Sequence, residues 1–279
     1  HHFVTLMNIS GLSDITAENG GLSIGACARL QDVKQACAQS LKYDALHDAL
    51  SSIGKVQVMN MGTLGGNLCQ KPRCWYYRGD FHCLRKGGHK CFAVNGENQY
   101  HCIFGGANCF IVHPSDTAPA LVALDAEVNI VGPRGARRLP VAELHMPPAE
   151  NPTRETLLEP GELIVEVLLP APAPGLYSSY RKIRTRRSWD FAIAGCALAL
   201  VRDGDRVRDC RVVLSGAAPI PWRSRAAEEV IRGKVLDAAL IRQAAAATVA
   251  EATPMSRNAY KIPLFRGMLE EELGKAAKA

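Results

Sequence analysis

The chain has 279 residues, of which 47% are hydrophobic and 22% charged, and a formal net charge of +6. That length allows two domains and a substantial core, with the balance of an ordinary globular protein. No run of about 18 apolar residues occurs, which excludes a membrane-spanning helix, and no nucleic-acid reading module accompanies the modest positive charge, which excludes nucleic acid as the expected partner.

The chain has no initiator Met and opens inside an expected strand over residues 3–9. A truncated start with any targeting peptide out of view is therefore expected, and His1-His2 fits a tag or native sequence equally. Leu22, Ile24 and Ala26 alternate after Gly20-Gly21 and predict a second strand. Leu30, Val33, Ala36 and Cys37 share one face of a helix over 30–40, where Cys37, like Cys27, reads as a small buried hydrophobe. A further helix is expected over 43–53. After the glycine loop Met61–Asn67 and a cysteine-rich stretch, Phe110-Ile111-Val112 predicts a strand entering a turn at Pro114-Ser115-Asp116. Ser115 or Asp116 caps a short helix from Ala118 to Leu124. A strand over Glu127–Val131, a turn at Gly132–Gly135, a proline-rich loop over 146–160 and an apolar run from Glu162 to Leu169 follow. Ala171–Gly175 reads as a linker. Beyond it, Phe191–Val201 and Val207–Leu214 form a hairpin around Asp203-Gly204-Asp205. Ser224 caps a helix stopping at Gly233, Asp237 caps a longer one to about Ala252, and a last helix covers 258–275. This describes a smaller C-terminal α+β domain.

Six of the ten cysteines, Cys69, Cys74, Cys83, Cys91, Cys102 and Cys109, lie within one segment, while Cys27, Cys37, Cys196 and Cys210 are scattered. This is no disulfide scaffold. The spacings are wider than compact ferredoxin runs or a C-x2-C zinc knuckle. Trp75, Tyr76, Tyr77 and Phe81 can shield a cluster, and Arg73, Arg78, Arg85 and Lys86 can offset thiolate charge. His82, His89 and His101 keep zinc open, so spacing alone leaves iron–sulfur, zinc and unligated thiols as alternatives. The loop Gly62-Thr63-Leu64-Gly65-Gly66-Asn67 permits close backbone approach, and free N–H groups there can bind a pyrophosphate. It matches neither the dinucleotide fingerprint nor the P-loop, and a plain tight turn is the competing reading. The basic run Arg181, Lys182, Arg184, Arg186 and Arg187 is a solvated face or a cation source for a flavin or phosphate.

Ile24-Gly25-Ala26, Gly62–Asn67, Pro114-Ser115-Asp116 and Glu162-Leu163-Ile164 occur in the order that resembles the FAD-binding medium subunit of the molybdenum hydroxylases, the xanthine dehydrogenase family. Tyr180-Arg181-Lys182 through Asn258-Ala259-Tyr260-Lys261 is similar to that family's flavoprotein C-terminal domain, so the resemblance covers nearly the whole chain. Arg73-Cys74-Trp75-Tyr76-Tyr77 with Cys83 and Cys91 resembles an insertion in 4-hydroxybenzoyl-CoA reductase and in some bacterial aldehyde oxidoreductases, which carries an extra [4Fe–4S] cluster. The implied fold is α+β: an FAD-binding PCMH-type domain over 1–170, N-terminally truncated and holding an iron–sulfur insertion at about 69–109, then a C-terminal domain over 176–279.

The resemblance implies that Gly62, Thr63, Gly65, Gly66 and Asn67 contact the FAD pyrophosphate. It further implies that Asp116 hydrogen-bonds the cofactor, Ile164 packs near the isoalloxazine or adenine, and Lys182 approaches the flavin. No catalytic residue is expected on this chain. Cys74, Cys83 and Cys91 are the implied cluster ligands, with Cys109 as the fourth because it precedes the point where the family pattern resumes. Cys102 is the reserve, and Cys69 is less favoured. An earlier glycine-rich phosphate loop of the family has no counterpart here, which implies a fragment or weakened FAD affinity. The implied role is electron transfer: a large molybdenum-cofactor subunit and a small [2Fe–2S] subunit as partners, and ferredoxin as an external carrier. The expected location is the cytoplasm, or the periplasm through a partner's export signal. The competing readings are a zinc-stabilised binding module and a standalone flavin oxidoreductase.

Overall fold

The computed structural model describes residues 4–40, 43–186 and 189–279, so residues 1–3, 41–42 and 187–188, among them the His1-His2 pair, Phe3 of the expected first strand and Arg187 of the basic run, lie outside the described residues. In chain order the elements are β1 Ile15–Glu18, β2 Gly21–Gly25, α1 Leu30–Ser40, α2 Asp44–Ser52, α3 Val56–Met61, α4 Leu64–Leu68, α5 Trp75–Arg78, α6 Thr117–Ala123, β3 Glu127–Gly132, β4 Gly135–Pro140, α7 Val141–Leu144 and β5 Leu163–Leu169. There follow β6 Leu176–Ile183, β7 Ala194–Asp203, β8 Arg206–Ser215, β9 Trp222–Arg223, α8 Arg225–Ile231, α9 Ala238–Thr248 and α10 Lys261–Ala276.

Two antiparallel sheets organise these elements, one in the order β1-β2-β5-β3-β4 and the other β6-β7-β8-β9. In the first, Ile24, Val128, Ile130, Val167 and Leu169 point into a core closed by Leu30 and Val33 of α1, Leu46 and Leu50 of α2, Leu64 of α4 and Leu121 of α6. The second sheet is covered on both faces, and the sequence of β7 records it. Ala197 and Ala199 face the first core, whereas Cys196, Leu198 and Leu200 face a second core with Ile231, Phe265, Met268 and Leu269 from α8 and α10. Side chains alternate along a strand, so small residues meet the closely packed α2 and α6 while large ones fill the space under the C-terminal helices.

The α+β class and most elements follow the sequence reading. The expected strand over 3–9 does not form in the described part. Val4, Met7 and Ile9 are exposed, and the bonds Ile9 N→Leu6 O (3.2 Å) and Leu12 N→Ile9 O (3.4 Å) coil the segment into turns. The strand entering the first sheet is β1 instead, paired to β2. Residues 110–112 are not a strand either. Single bonds to different segments replace a ladder there: Phe110 O accepts from Cys102 N (3.0 Å), and His113 N donates to Ala218 O (2.9 Å).

Candidate flavin cleft and thiol cavity

The glycine loop is built into the first sheet's margin. Leu30 N donates to Gly62 O (2.9 Å), and Leu64 N and Gly65 N donate to Ala28 O (3.0 Å) and Ala26 O (2.9 Å). A Cβ on Gly65 would sit 2.9 Å from both Cβ and O of Ala26, so this glycine is required by α4 packing directly on the end of β2. Thr63 caps α4 by accepting from Gly66 N (3.2 Å), and Gly66 cannot carry a side chain without displacing that hydroxyl, 2.9 Å from its Cβ position. Gly62 N and Asn67 N are also engaged, by Val58 O (2.7 Å) and Thr63 O (2.9 Å). The loop therefore offers fewer free N–H groups than expected. The solvent-exposed Gly66 bond is the exchangeable one, and the Thr63 hydroxyl keeps its own proton to donate.

Asn67 is oriented from the opposite side of the cleft. Its Oδ1 accepts from Ser115 Oγ (2.6 Å) and Thr117 Oγ1 (2.7 Å), which leaves its Nδ2 as the donor on that side chain. Ser115 Oγ also accepts from Ala118 N (3.0 Å), so Ser115 rather than Asp116 caps α6. Asp116 is engaged across the two sheets: Tyr180 Oη donates to its Oδ1 (2.8 Å) and Lys182 Nζ to its Oδ2 (2.7 Å). Burial pushes the Asp116 carboxyl up, and Lys182 and Tyr180 oppose that. Gly62, Thr63, Gly66, Asn67, Asp116 and Lys182 line one open cleft of about 690 Å³.

Cys74, Cys83, Cys91 and Cys109 line a second, small cavity together with Tyr76, Tyr77, Phe92, Phe110, Arg85 and His101. His101 Nε2 lies 3.3 Å from Cys74 Sγ. Desolvation raises the Cys74 thiol to about 11 and pushes Cys109 up as well, while the Arg85 guanidinium pulls Cys109 back down. Arg85 is buried by the distant loop between α7 and β5, donating to Pro152 O and Arg154 O (both 2.9 Å) and pairing with Glu155 at 3.2 Å. Four thiols without a carboxylate make a soft donor set suited to an iron–sulfur cluster. Among the described residues, however, no group of three or more His, Cys, Asp or Glu stands close enough together to hold a metal ion, so the four thiols share a cavity without forming a ready metal site. Cys102 is buried outside the lining, with a Cβ at Gly106 falling 2.9 Å from its sulfur. Cys69 lies beside Glu155, and burial raises its thiol to about 11.

A family model described as the FAD binding domain in molybdopterin dehydrogenase matches residues 1–172, and one described as the CO dehydrogenase flavoprotein C-terminal domain matches 178–276. The chain belongs to this family. It is thus an FAD-dependent oxidoreductase subunit of the molybdenum hydroxylase type. It is 36% identical to the aldehyde oxidoreductase FAD-binding subunit PaoB of Escherichia coli, over 97% of this chain and 84% of that protein. It is 26% identical to the carbon monoxide dehydrogenase medium chain of Hydrogenophaga pseudoflava, over 91% of this chain and 72% of the relative. A solved structure of carbon monoxide dehydrogenase from the same organism superposes with a TM-score of 0.72 at 26% identity, covering 95% of this chain and 78% of the other. No described helix is long and apolar enough to cross a membrane.

Within this flavoprotein fold, six of the eight expected cofactor residues share the cleft. Gly65 and Ile164 do not line it. Ile164 is a core residue of β5 opposite Ile130, because its neighbour Leu163, not Ile164, takes the exposed side of the strand. Of the basic residues expected to offset thiolate charge, only Arg85 lines the thiol cavity, and of the aromatics only Tyr76 and Tyr77 do. Trp75 and Phe81 are 45% and 41% exposed and do not line it, although Phe81 packs behind it on Tyr76 at 5.0 Å and Phe92 at 5.1 Å. Sequence reasoning gave no role to Tyr180 and Thr117. Strand periodicity held the signal for the first: Tyr180 and Lys182 are two apart on β6 and share a face.

Proposed function

We propose that this chain is the FAD-binding electron-transfer subunit of a multi-subunit molybdenum hydroxylase, with domains over 1–170 and 176–279. The observation that carries the reading is the pairing of one cleft, walled by the glycine loop and the Asp116–Lys182 pair, with a neighbouring cavity lined by four thiols. Relatives named as FAD-binding subunits and medium chains support a division of labour in which substrate chemistry belongs to a large molybdenum-cofactor subunit. A small [2Fe–2S] subunit delivers electrons to the cleft. The extra [4Fe–4S] cluster, held by Cys74, Cys83, Cys91 and Cys109, connects it to an external carrier such as ferredoxin.

Bound FAD supplies an isoalloxazine that takes up and passes on electrons. The residues of this chain hold it. The Gly66 N–H, the Thr63 hydroxyl and the Asn67 amide are the donors for its phosphates. Lys182 and Asp116, locked in a buried ion pair, form the polar wall of the cleft that faces the cofactor. At the thiol cavity, Tyr76, Tyr77 and Phe92 exclude water, and Arg85 offsets thiolate charge near Cys109.

Flavin, iron and acid-labile sulfide measured on the anaerobically purified complex test the reading, with FAD and about four irons per chain expected beyond the partner's centres. Zinc without iron or sulfide in this subunit would sink the cluster. Cys109→Ser is expected to abolish it, and loss in Cys102→Ser alone would reassign the fourth ligand.

A further inference from the structure

Tyr180 is 6% exposed and packs in the first core, where a phenylalanine would fill the same space. Its hydroxyl is therefore no packing requirement, and burying one without a task is destabilising. The fold nevertheless keeps a niche for it. Gly195, which stands opposite Lys182 on β6 and Ser215 on β8, would place a Cβ 2.9 Å from Tyr180 Oη and 3.0 Å from Ser215 Cβ. A phenol has one proton, and here it goes to Asp116 Oδ1 (2.8 Å). The Ser215 hydroxyl, 3.3 Å away, then donates to Tyr180 Oη and fixes its direction. Ser115 already caps α6, so Asp116 is free of that duty. Its other oxygen, Oδ2, takes one N–H from Lys182 (2.7 Å), the one hydrogen bond of that ammonium among the described residues. A side chain 3% exposed with three donors and one in use keeps two N–H groups at the wall of the flavin cleft.

We propose that Tyr180 is a positioning residue for the cofactor, acting through Asp116 on Lys182. With the Tyr180 proton on Oδ1, the carboxylate needs no second N–H from Lys182, and both spare N–H groups stay turned to the flavin. Without the hydroxyl, Oδ1 is a buried charged acceptor left without its donor, a costly state. The ammonium already bonded to Oδ2 is the donor at hand. Its rotatable N–H groups let it bridge both oxygens, which withdraws it from the cleft. The Tyr180 hydroxyl thus divides one lysine between the fold and the ligand. The inference rests on the functional reading above, which makes FAD the occupant of the cleft.

The test is a double-mutant cycle on the deflavinated complex retitrated with FAD. Tyr180→Phe keeps the ring and should weaken FAD binding about tenfold, with a shift in the visible absorption bands of the flavin that does bind. In a Lys182→Met, Asp116→Asn background, which leaves neither charge of the pair buried, the same change should alter affinity by less than about twofold and leave the bands in place. Equal losses in the two backgrounds give Tyr180 a structural role only and overturn the inference, as do unmoved bands in Tyr180→Phe. A wild-type complex that takes up no FAD overturns the functional reading instead. The crystal structure of Tyr180→Phe then still decides the lysine: contact of Nζ with both Asp116 oxygens is expected, and the single contact to Oδ2 overturns the inference.

Discussion

Lys182 and Asp116 meet at 2.7 Å with side chains only 3% and 7% exposed, so each is the other's main compensation for leaving water. Lys182→Met removes the cation and leaves the carboxylate with the Tyr180 hydroxyl alone. A loss of about 3–5 kcal/mol is expected, read from the urea midpoint. Adding Asp116→Asn should recover much of that stability, because no unpaired charge is left buried, but not FAD retention, because the Lys182 donor in the cleft wall stays absent. The buried imidazoles of His113 and His145 meet at 4.0 Å between ring centres, tilted by 56°, and set the acid limit. Burial lowers His145 to about 4 and His113 well below the ordinary range, with His145 and Arg85 adding to the effect on His113. Their folded values lie below the unfolded one, so the unfolded chain binds more protons as pH falls from about 6.5 towards 4, and stability drops across that window. His145 alone contributes about 2–3 kcal/mol of that fall. His145→Gln, which retains an amide for the bond to Leu68 O (3.0 Å), should shrink the difference in urea stability between pH 7 and pH 4.5 by that amount.

Helices α4 and α10 give opposite answers to the same substitution. In α10, Gly267 has a negative φ and no atom within 4 Å of its Cβ position, so Gly267→Ala should stabilise by about 0.5–1 kcal/mol through helix propensity. In α4, Gly65→Ala drives a methyl to 2.9 Å from the Ala26 backbone and should cost about 1–3 kcal/mol and loosen FAD, both read by thermal shift with and without the cofactor. Elements of this kind mark what the sequence makes legible. The Asp203-Gly204-Asp205 hairpin, the Asp237 cap, whose carboxylate accepts from Leu240 N (2.7 Å), and the apolar faces of α1 and α2 carry local signals that tertiary context did not override. Residues 110–112 have the same apolar character as a strand, yet Phe110 pairs with Cys102 and the following His113 with Ala218, which no local pattern announces. The crowding of cysteines was visible, but which four share a cavity depends on how the 69–109 loops fold over one another. Likewise Ile164 alternates correctly for a strand, but the choice of inner face waits on β3.

At the scale of the molecule, the cysteine segment is the clasp between the two sheets' cores. Ile103 and Phe104 enter the second core, Phe104 stacks on Trp222 at 5.0 Å, and both residues' N–H groups donate to Ala217 O (2.8 and 3.2 Å). The opposing jaw is the turn before α10. Fully buried Asn258 donates from Nδ2 to His101 O and Cys102 O (both 3.0 Å) and accepts from Met255 N (2.6 Å). Tyr260 Oη reaches Gln99 O (2.8 Å), and Lys261 Nζ, lowered by burial to about 8, donates to Gly216 O (2.7 Å). Asn258→Ala strands two carbonyls and one N–H at the centre of this clasp, an expected loss of about 3 kcal/mol. The cleft residues Thr63, Asn67, Asp116 and Lys182 bond to none of these atoms. The loss should therefore appear first as protease cleavage within 69–109 and as a fall in the iron and sulfide of the proposed cluster, with FAD retained at moderate temperature. If flavin and iron are lost together at every temperature, the segment and the cleft unfold as one unit, and the clasp is no separate cooperative element of the fold.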